Sequence, residues 1–131
     1  MKFDSNIWGP SLWFVLHSIS FKYPHFPSNT IKKKYYDFIK NLPQFIPDEK
    51  IGNEFSKFLD KYPVTPYLDN RNSFIRWGHF IHNRINVHLK KEIMSFSDFL
   101  KKYETIYSQD NLTQTRNKLI KQYIVYIVTM T

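Results

Sequence analysis

The sequence predicts an all-α protein: a four-helix bundle with a short fifth helix and a C-terminal extension. Three observations lead there. Apolar residues recur at three- and four-residue steps in five separate segments, the spacing that lines one face of a helix. No segment before the C-terminus sustains the two-residue alternation of a half-buried strand. The 131 residues include only 3 glycines, too few for the many tight turns of a sandwich or barrel.

The first helix carries the stripe Trp8, Leu12, Val15, Leu16 and Ile19, with Trp13 and His17 on a neighbouring face. It must end at "YPHFP" (Tyr23 to Pro27), because proline removes an N–H donor and restricts the residue before it. Ser28 is a suitable N-cap for the second helix, with Ile31, Tyr35, Phe38, Ile39 and Leu42 inward. "NLPQFIP" breaks the chain again. The third helix then presents Ile51, Phe55, Phe58, Leu59 and Tyr62, ending at Pro63.

"PVTPYLDNRN" is a loop of turn-forming residues. The fourth helix, expected over roughly Ser73 to Lys91, buries Phe74, Trp77, Ile81, Ile85 and Leu89. The fifth starts at Ser95, where "SFSD" fits a capping box with Asp98 in the usual glutamate role. Its stripe is Phe96, Phe99, Leu100, Tyr103 and Tyr107. Residues 1–107 are thus expected to form the bundle, and 108–131 a linker and hydrophobic extension. The last stretch, "LIKQYIVYIVTMT", has helical spacing and strong β propensity together, and would pack on the bundle or dock on a partner.

Composition narrows the function classes. Aromatic content of 18% predicts a core built largely from rings. A net charge of +8 attracts phosphates, nucleic acid or acidic protein surfaces, although lysines spread along the chain equally describe a basic solvated face. No nucleic-acid motif accompanies the charge, so nucleic acid is not an expected partner. The sequence has no cysteine, which excludes disulfides, zinc–thiolate sites and thiol catalysis within it. No signal peptide is expected. "YIVYIV" (Tyr123 to Val128) falls far short of the roughly 20 apolar residues that span a bilayer, so a soluble chain is expected. Heavy use of Lys, Asn, Ile, Phe and Tyr fits an AT-rich genome.

On the fourth helix His79, His82, Asn83, Asn86 and Lys90 recur at three- and four-residue steps and make a polar ridge. Such a ridge is either a solvated face or a set of donors and acceptors for a nucleotide. Trp13 and His17 would add a stacking surface. His79 and His82 have no evident carboxylate partner, so no metal site is expected.

Three blocks carry a resemblance: "WGPSLWFVLHSISFKYP" (Trp8 to Pro24), "FIPDEKIGNEFSKFLDKYP" (Phe45 to Pro63) and "FIRWGHFIHNRINVHLKK" (Phe74 to Lys91). In order and spacing they resemble the signature blocks of the Erv/ALR family of FAD-linked sulfhydryl oxidases. The form W-G-x-x-x-W-x-x-L-H is matched by Trp8, Gly9, Trp13, Leu16 and His17. The form H-N-x-V-N-x-x-L-x-K is matched by His82, Asn83, Asn86, Leu89 and Lys91, with Ile85 in place of Val. The resemblance implies FAD held within the bundle and common dimerisation. Trp8, Trp13, His17 and Tyr23 would then surround the flavin and adenine. Trp77, His79, His82, Asn83, Asn86 and Lys90 would contact the nucleotide or the isoalloxazine from the fourth helix. FAD is the implied cofactor, either kept by these residues or lost.

One departure decides the enzyme question. The family's C-x-x-C follows the proline of the second block, and here its two positions hold Asp48 and Ile51. One thiolate must attack the flavin and a second thiol must resolve the product, and neither Asp nor Ile can do so. Deliberate knockouts normally use Ser or Ala, which argues for natural loss. Asp48 in the first turn of a helix suits a cap, and Ile51 suits the core. The expectation is a pseudo-enzyme, acting as a structural or interaction protein with a protein partner or as a homodimer. Short family members resemble those of large DNA viruses, which implies a minor virion component located in the virion or host cytoplasm. The alternative is a flavoprotein with a structural or non-thiol redox role.

Overall fold

The computed structural model describes residues 1–108 together with Lys118, Ile120, Lys121 and Ile124. Those four C-terminal residues are helical. Otherwise the expected linker and extension lie outside the described residues. The fold is all-helical. Over residues 1–108 five α-helices follow in order: α1 (Ser5–Lys22), α2 (Asn29–Asn41), α3 (Glu49–Lys61), α4 (Arg71–His88) and α5 (Phe96–Ile106). Two of the three proline-bearing connections wind into 3₁₀ turns rather than open loops, at Leu42–Phe45 and Thr65–Asp69. Among the described residues there is no strand.

Each helix starts on a side-chain cap that occupies one of the free N–H groups of its first turn. Asp4 accepts from Asn6 N at 2.9 Å, and Ser28 from Ile31 N at 3.2 Å. Asn70 accepts from Ser73 N at 2.8 Å, and Ser95 from Asp98 N at 3.1 Å. The α4 cap therefore lies three residues before the expected start, because Asn70 rather than a residue nearer Ser73 provides the acceptor. At the other end Lys90 N donates to Val87 O (3.1 Å) and Lys91 N to Asn86 O (2.8 Å). This is the paired bonding of a Schellman motif, with Lys90 at φ 58° in the left-handed position glycine usually takes.

The described residues divide into two compact units, one over Met1–Met94 and a second that begins at Ser95 and holds α5. In the first unit the core runs through Tyr23, Ile39, Leu42, Ile46, Ile51, Phe55, Val64, Leu68, Phe74, Trp77, Ile81 and Ile85. Rings organise it. Tyr23 sits edge-on to Tyr35 (4.6 Å) and to Phe74 (5.0 Å), and its hydroxyl donates to Leu68 O at 2.6 Å. Arg71 donates to the Tyr23 carbonyl and sits 2.9 Å from His25 Nε2, tying the break after α1 to the start of α4.

α1 and α4 pack directly on one another, and α3 lies against α4 with its residues in antiparallel order. Along that seam Glu54 meets His88 (3.7 Å), Arg84 lies over the Phe58 ring (6.0 Å), and Tyr62 meets Phe80 edge-on (4.9 Å). Gly52 permits α3 to approach the preceding turn, since a Cβ there would sit 2.8 Å from the Pro43 carbonyl oxygen.

α1 departs from the expected stripe. Val15 is 52% exposed, whereas His17, expected beside the apolar face, is 2% exposed. The reason is that α1 carries no Lys, Arg, Asp or Glu from Ser5 to Phe21, so its pattern does not mark an inward face. In the second unit Phe99 and Tyr103 are buried along α5, as its stripe requires. Burial, then the neighbouring Tyr107, pushes the Tyr103 hydroxyl up to about 12.

Candidate functional site

The pair at positions 48 and 51 occupies the start of α3. The Asp48 carboxylate accepts from Ile51 N at 3.0 Å, and Asp48 O accepts from Gly52 N at 2.9 Å. Asp48 is thus the helix cap its sequence position implied. The Ile51 side chain is 7% exposed within the core. Neither group is nucleophilic in this setting: the carboxylate is engaged by the helix N-terminus, and the other side chain is hydrocarbon.

The residues expected around a cofactor separate into three groups. The first forms a ring cluster between α1 and α4. Trp13 stacks on His82 with centroids 4.0 Å apart and planes 9° from parallel. Trp13 also lies 5.5 Å from the His17 ring and 6.1 Å from Phe55. His17 Nε2 and His82 Nδ1 share a hydrogen bond at 2.8 Å. α1 brings Trp13 and His17 to this place because they are four residues apart, one turn of the helix.

The second group is a clamp. Asn83 accepts from Met94 N at 3.2 Å and donates to Met94 O at 2.9 Å, pairing its amide with the backbone N–H and C=O of one residue. His79 Nε2 lies 2.7 Å from the same carbonyl and 3.2 Å from Asn83 Nδ2. These two ridge residues hold the chain that leaves α4 back against the helix. Nothing in the three- and four-residue spacing announces a partner eleven residues downstream.

The third group is dispersed. Tyr23 is fully buried and its hydroxyl is raised by burial, then by Tyr35 and Asp69. Its hydrogen bond to Leu68 O makes it a core residue, not a wall of the ring cluster. Trp8 Nε1 donates to Phe3 O at 2.9 Å near the N-terminus. Trp77 is buried and donates to Tyr62 O at 2.9 Å. Asn86 contributes its backbone carbonyl to the end of α4, and Lys90 stands exposed just beyond it.

Behind the ring cluster lies a cavity of about 30 Å³ lined by Trp13, Leu16, His17, Ile19, Ser20, Phe38, Ile39, Leu42, Phe55, Phe74, Trp77, Gly78 and Ile81. Of this lining only Ser20 and Gly78 were not already named from the sequence as inward or site residues. Gly78 was the available signal, because an uncompensated glycine inside a helix costs up to about 1 kcal/mol. A Cβ at Gly78 would lie 3.7 Å from His17 Nδ1, an ordinary van der Waals contact beside the buried imidazole. By residue type the site suits a flat heteroaromatic group, with indole and phenyl walls and imidazole nitrogens at one edge. By dimension its free space of about 30 Å³ admits a water-sized guest. Among the described residues no group of three metal-ligating side chains is present.

Fold and site together define a small helical bundle with an aromatic inter-helix pocket and an acidic helix cap beside it in sequence. Comparison with known proteins gives that class a family: the model for the Erv1 / Alr family matches residues 10–104, and the chain belongs to this family. An FAD-linked sulfhydryl oxidase of African swine fever virus is 30% identical over 105 residues, covering 80% of this chain and 83% of the viral protein. A probable FAD-linked sulfhydryl oxidase of Acanthamoeba polyphaga mimivirus is 28% identical over 98 residues, 74% of this chain and 68% of the relative. Among solved structures the yeast Erv1 core superposes with a TM-score of 0.72 at 24% identity, covering 79% of this chain and 86% of that one. The FAD-binding domain of Saccharomyces cerevisiae Erv1 superposes with a TM-score of 0.69, also at 24% identity, covering 84% and 98%. At that identity the structural likeness concerns the fold.

Proposed function

We propose that this chain is a catalytically silent member of its family, acting as a structural or interaction protein. The observation that carries the proposal is the fate of two positions. Dithiol oxidation needs one thiolate to attack and a second thiol to resolve. Here Asp48 is bound to its own helix terminus, Ile51 is in the core, and the sequence offers no cysteine elsewhere. The test is oxygen consumption with dithiothreitol as electron donor. Background rates are expected even with added FAD, and sustained turnover overturns the proposal.

The partner is a protein surface, with a second copy of this chain as the first choice. Ile7 (77% exposed) and Val15 (52% exposed) place uncovered apolar surface on a helix without Lys, Arg, Asp or Glu from Ser5 to Phe21. Sedimentation should show a dimer that Val15→Asp weakens; a monomer at all concentrations would refute self-association. The viral relatives support a role as a minor virion component, located in the virion or host cytoplasm, and mass spectrometry of purified particles tests it. Among the described residues no helix is long and apolar enough to cross a membrane.

A second reading, a flavoprotein without thiol chemistry, is favoured by the ring cluster. Trp13, His17, Trp77 and His82 are the residues that would hold FAD, which when bound supplies a two-electron acceptor. The chain's own residues would pack on its rings and exclude water. Purified protein with a flavin absorbance band released on denaturation supports this reading; colourless protein that takes up no added FAD removes it.

A further inference from the structure

We propose that Lys118, Ile120, Lys121 and Ile124 mark a helix that lies on an anionic lipid surface, with its isoleucines in the acyl boundary and its lysines at the headgroups. These four residues are helical and all are exposed, Ile120 at 50% and Ile124 at 54%. Ile120 and Ile124 are one helical turn apart and form an apolar row. Lys118 and Lys121 form a second row, roughly 110° around the axis at 3.6 residues per turn. An apolar row beside a cationic one is the pattern of helices that lie in a membrane interface. The inference stands apart from the silent-enzyme and flavoprotein readings.

Charge selects the occupant. Residues 111–131 contain no Asp or Glu, whereas Arg116, Lys118 and Lys121 are cationic. Two copies paired along this helix would set like charges together, and an acidic lipid surface neutralises them. Nucleic acid would engage the lysines but leave the isoleucines in water. Lysine stems extend along apolar surface while the ammonium stays at the headgroups, so both rows are used at once. From Tyr123 to Val128 the sequence adds Ile, Val and Tyr alone, and tyrosine favours the membrane–water boundary. Those six residues are far fewer than the roughly 20 that cross a bilayer, so the contact is with one leaflet.

The test is co-sedimentation of the full chain with phosphatidylcholine vesicles, prepared with and without phosphatidylserine. The chain should sediment with the anionic vesicles and stay in solution with the neutral ones. Raising salt to about 1 M, where the Debye length falls to about 3 Å, should release most of it. Lys118→Gln with Lys121→Gln should weaken binding about tenfold or more. Ile120→Ser with Ile124→Ser should weaken it about tenfold or more as well. All four side chains are exposed, so these variants should keep the wild-type Tm, which checks that the bundle is intact. No binding to anionic vesicles, or equal binding to both kinds, overturns the proposal. Binding that the lysine variant retains overturns it too, because the rest of the basic surface then carries the contact. So does lysine-dependent binding that the isoleucine variant retains, the result expected of a charge-only contact such as nucleic acid makes.

Discussion

Replacing Asp48 with alanine tests whether a catalytic position has become a structural one. The substitution removes a carboxylate oxygen 3.0 Å from Ile51 N and leaves that N–H without its partner in a half-buried setting. Loss of an N-cap of this kind costs about 1 kcal/mol, within a range of roughly 0.5–2. The carboxylate's interaction with the helix dipole contributes a few tenths more at low ionic strength. For a cooperative unit of this size each kcal/mol lowers Tm by roughly 4–8 °C. Asp48→Ser and Asp48→Asn keep an acceptor at the cap and should recover most of the loss. The assay is thermal and urea unfolding of the four proteins under one buffer. An alanine variant as stable as wild type refutes the cap argument, and so does a serine variant as damaged as alanine.

Three further outcomes follow from the geometry. Gly52→Ala should destabilise by about 1–3 kcal/mol, because its Cβ would meet a backbone carbonyl at 2.8 Å; a neutral effect in urea unfolding refutes the close approach. Lys90→Gly should stabilise by about 0.5–1 kcal/mol, since φ 58° is strained for lysine and free for glycine; unchanged or lower stability refutes the strain. Tyr103 should ionise at about 12 in an alkaline absorbance titration at the tyrosinate band, a step that Tyr103→Phe removes. Between its ordinary value of 10.0 and about 12 the folded protein keeps a proton that the unfolded chain releases, so stability present below pH 10 falls as pH rises through that window.

Much of this protein was legible residue by residue. Ser28, Asp48 and Ser95 read as caps from their identity and position, and each caps the helix expected of it. Caps are local, since acceptor and N–H lie within three residues of each other, so sequence alone can specify them. The inward faces of α3 and α4 were equally readable because polar residues on the opposite side mark them. α1 has no such marking, and His17 and Val15 exchanged their expected environments as a result. The absence of thiols needed no coordinates, because an absent sulfur cannot be restored by folding.

What only the tertiary structure decided is where the ridge on α4 spends its hydrogen bonds. The same spacing that suggested a nucleotide surface is shared among His17, Met94 and the end of α4 itself. Those partners lie on another helix or beyond a chain reversal, and periodicity records only which side chains share a face. Whether a face is open, clamped or closed by an indole depends on what packs against it. The sequence by itself determined the helices, their caps and the missing thiols. Packing of α1 on α4 determined that Trp13, His17 and His82 meet as a closed stack.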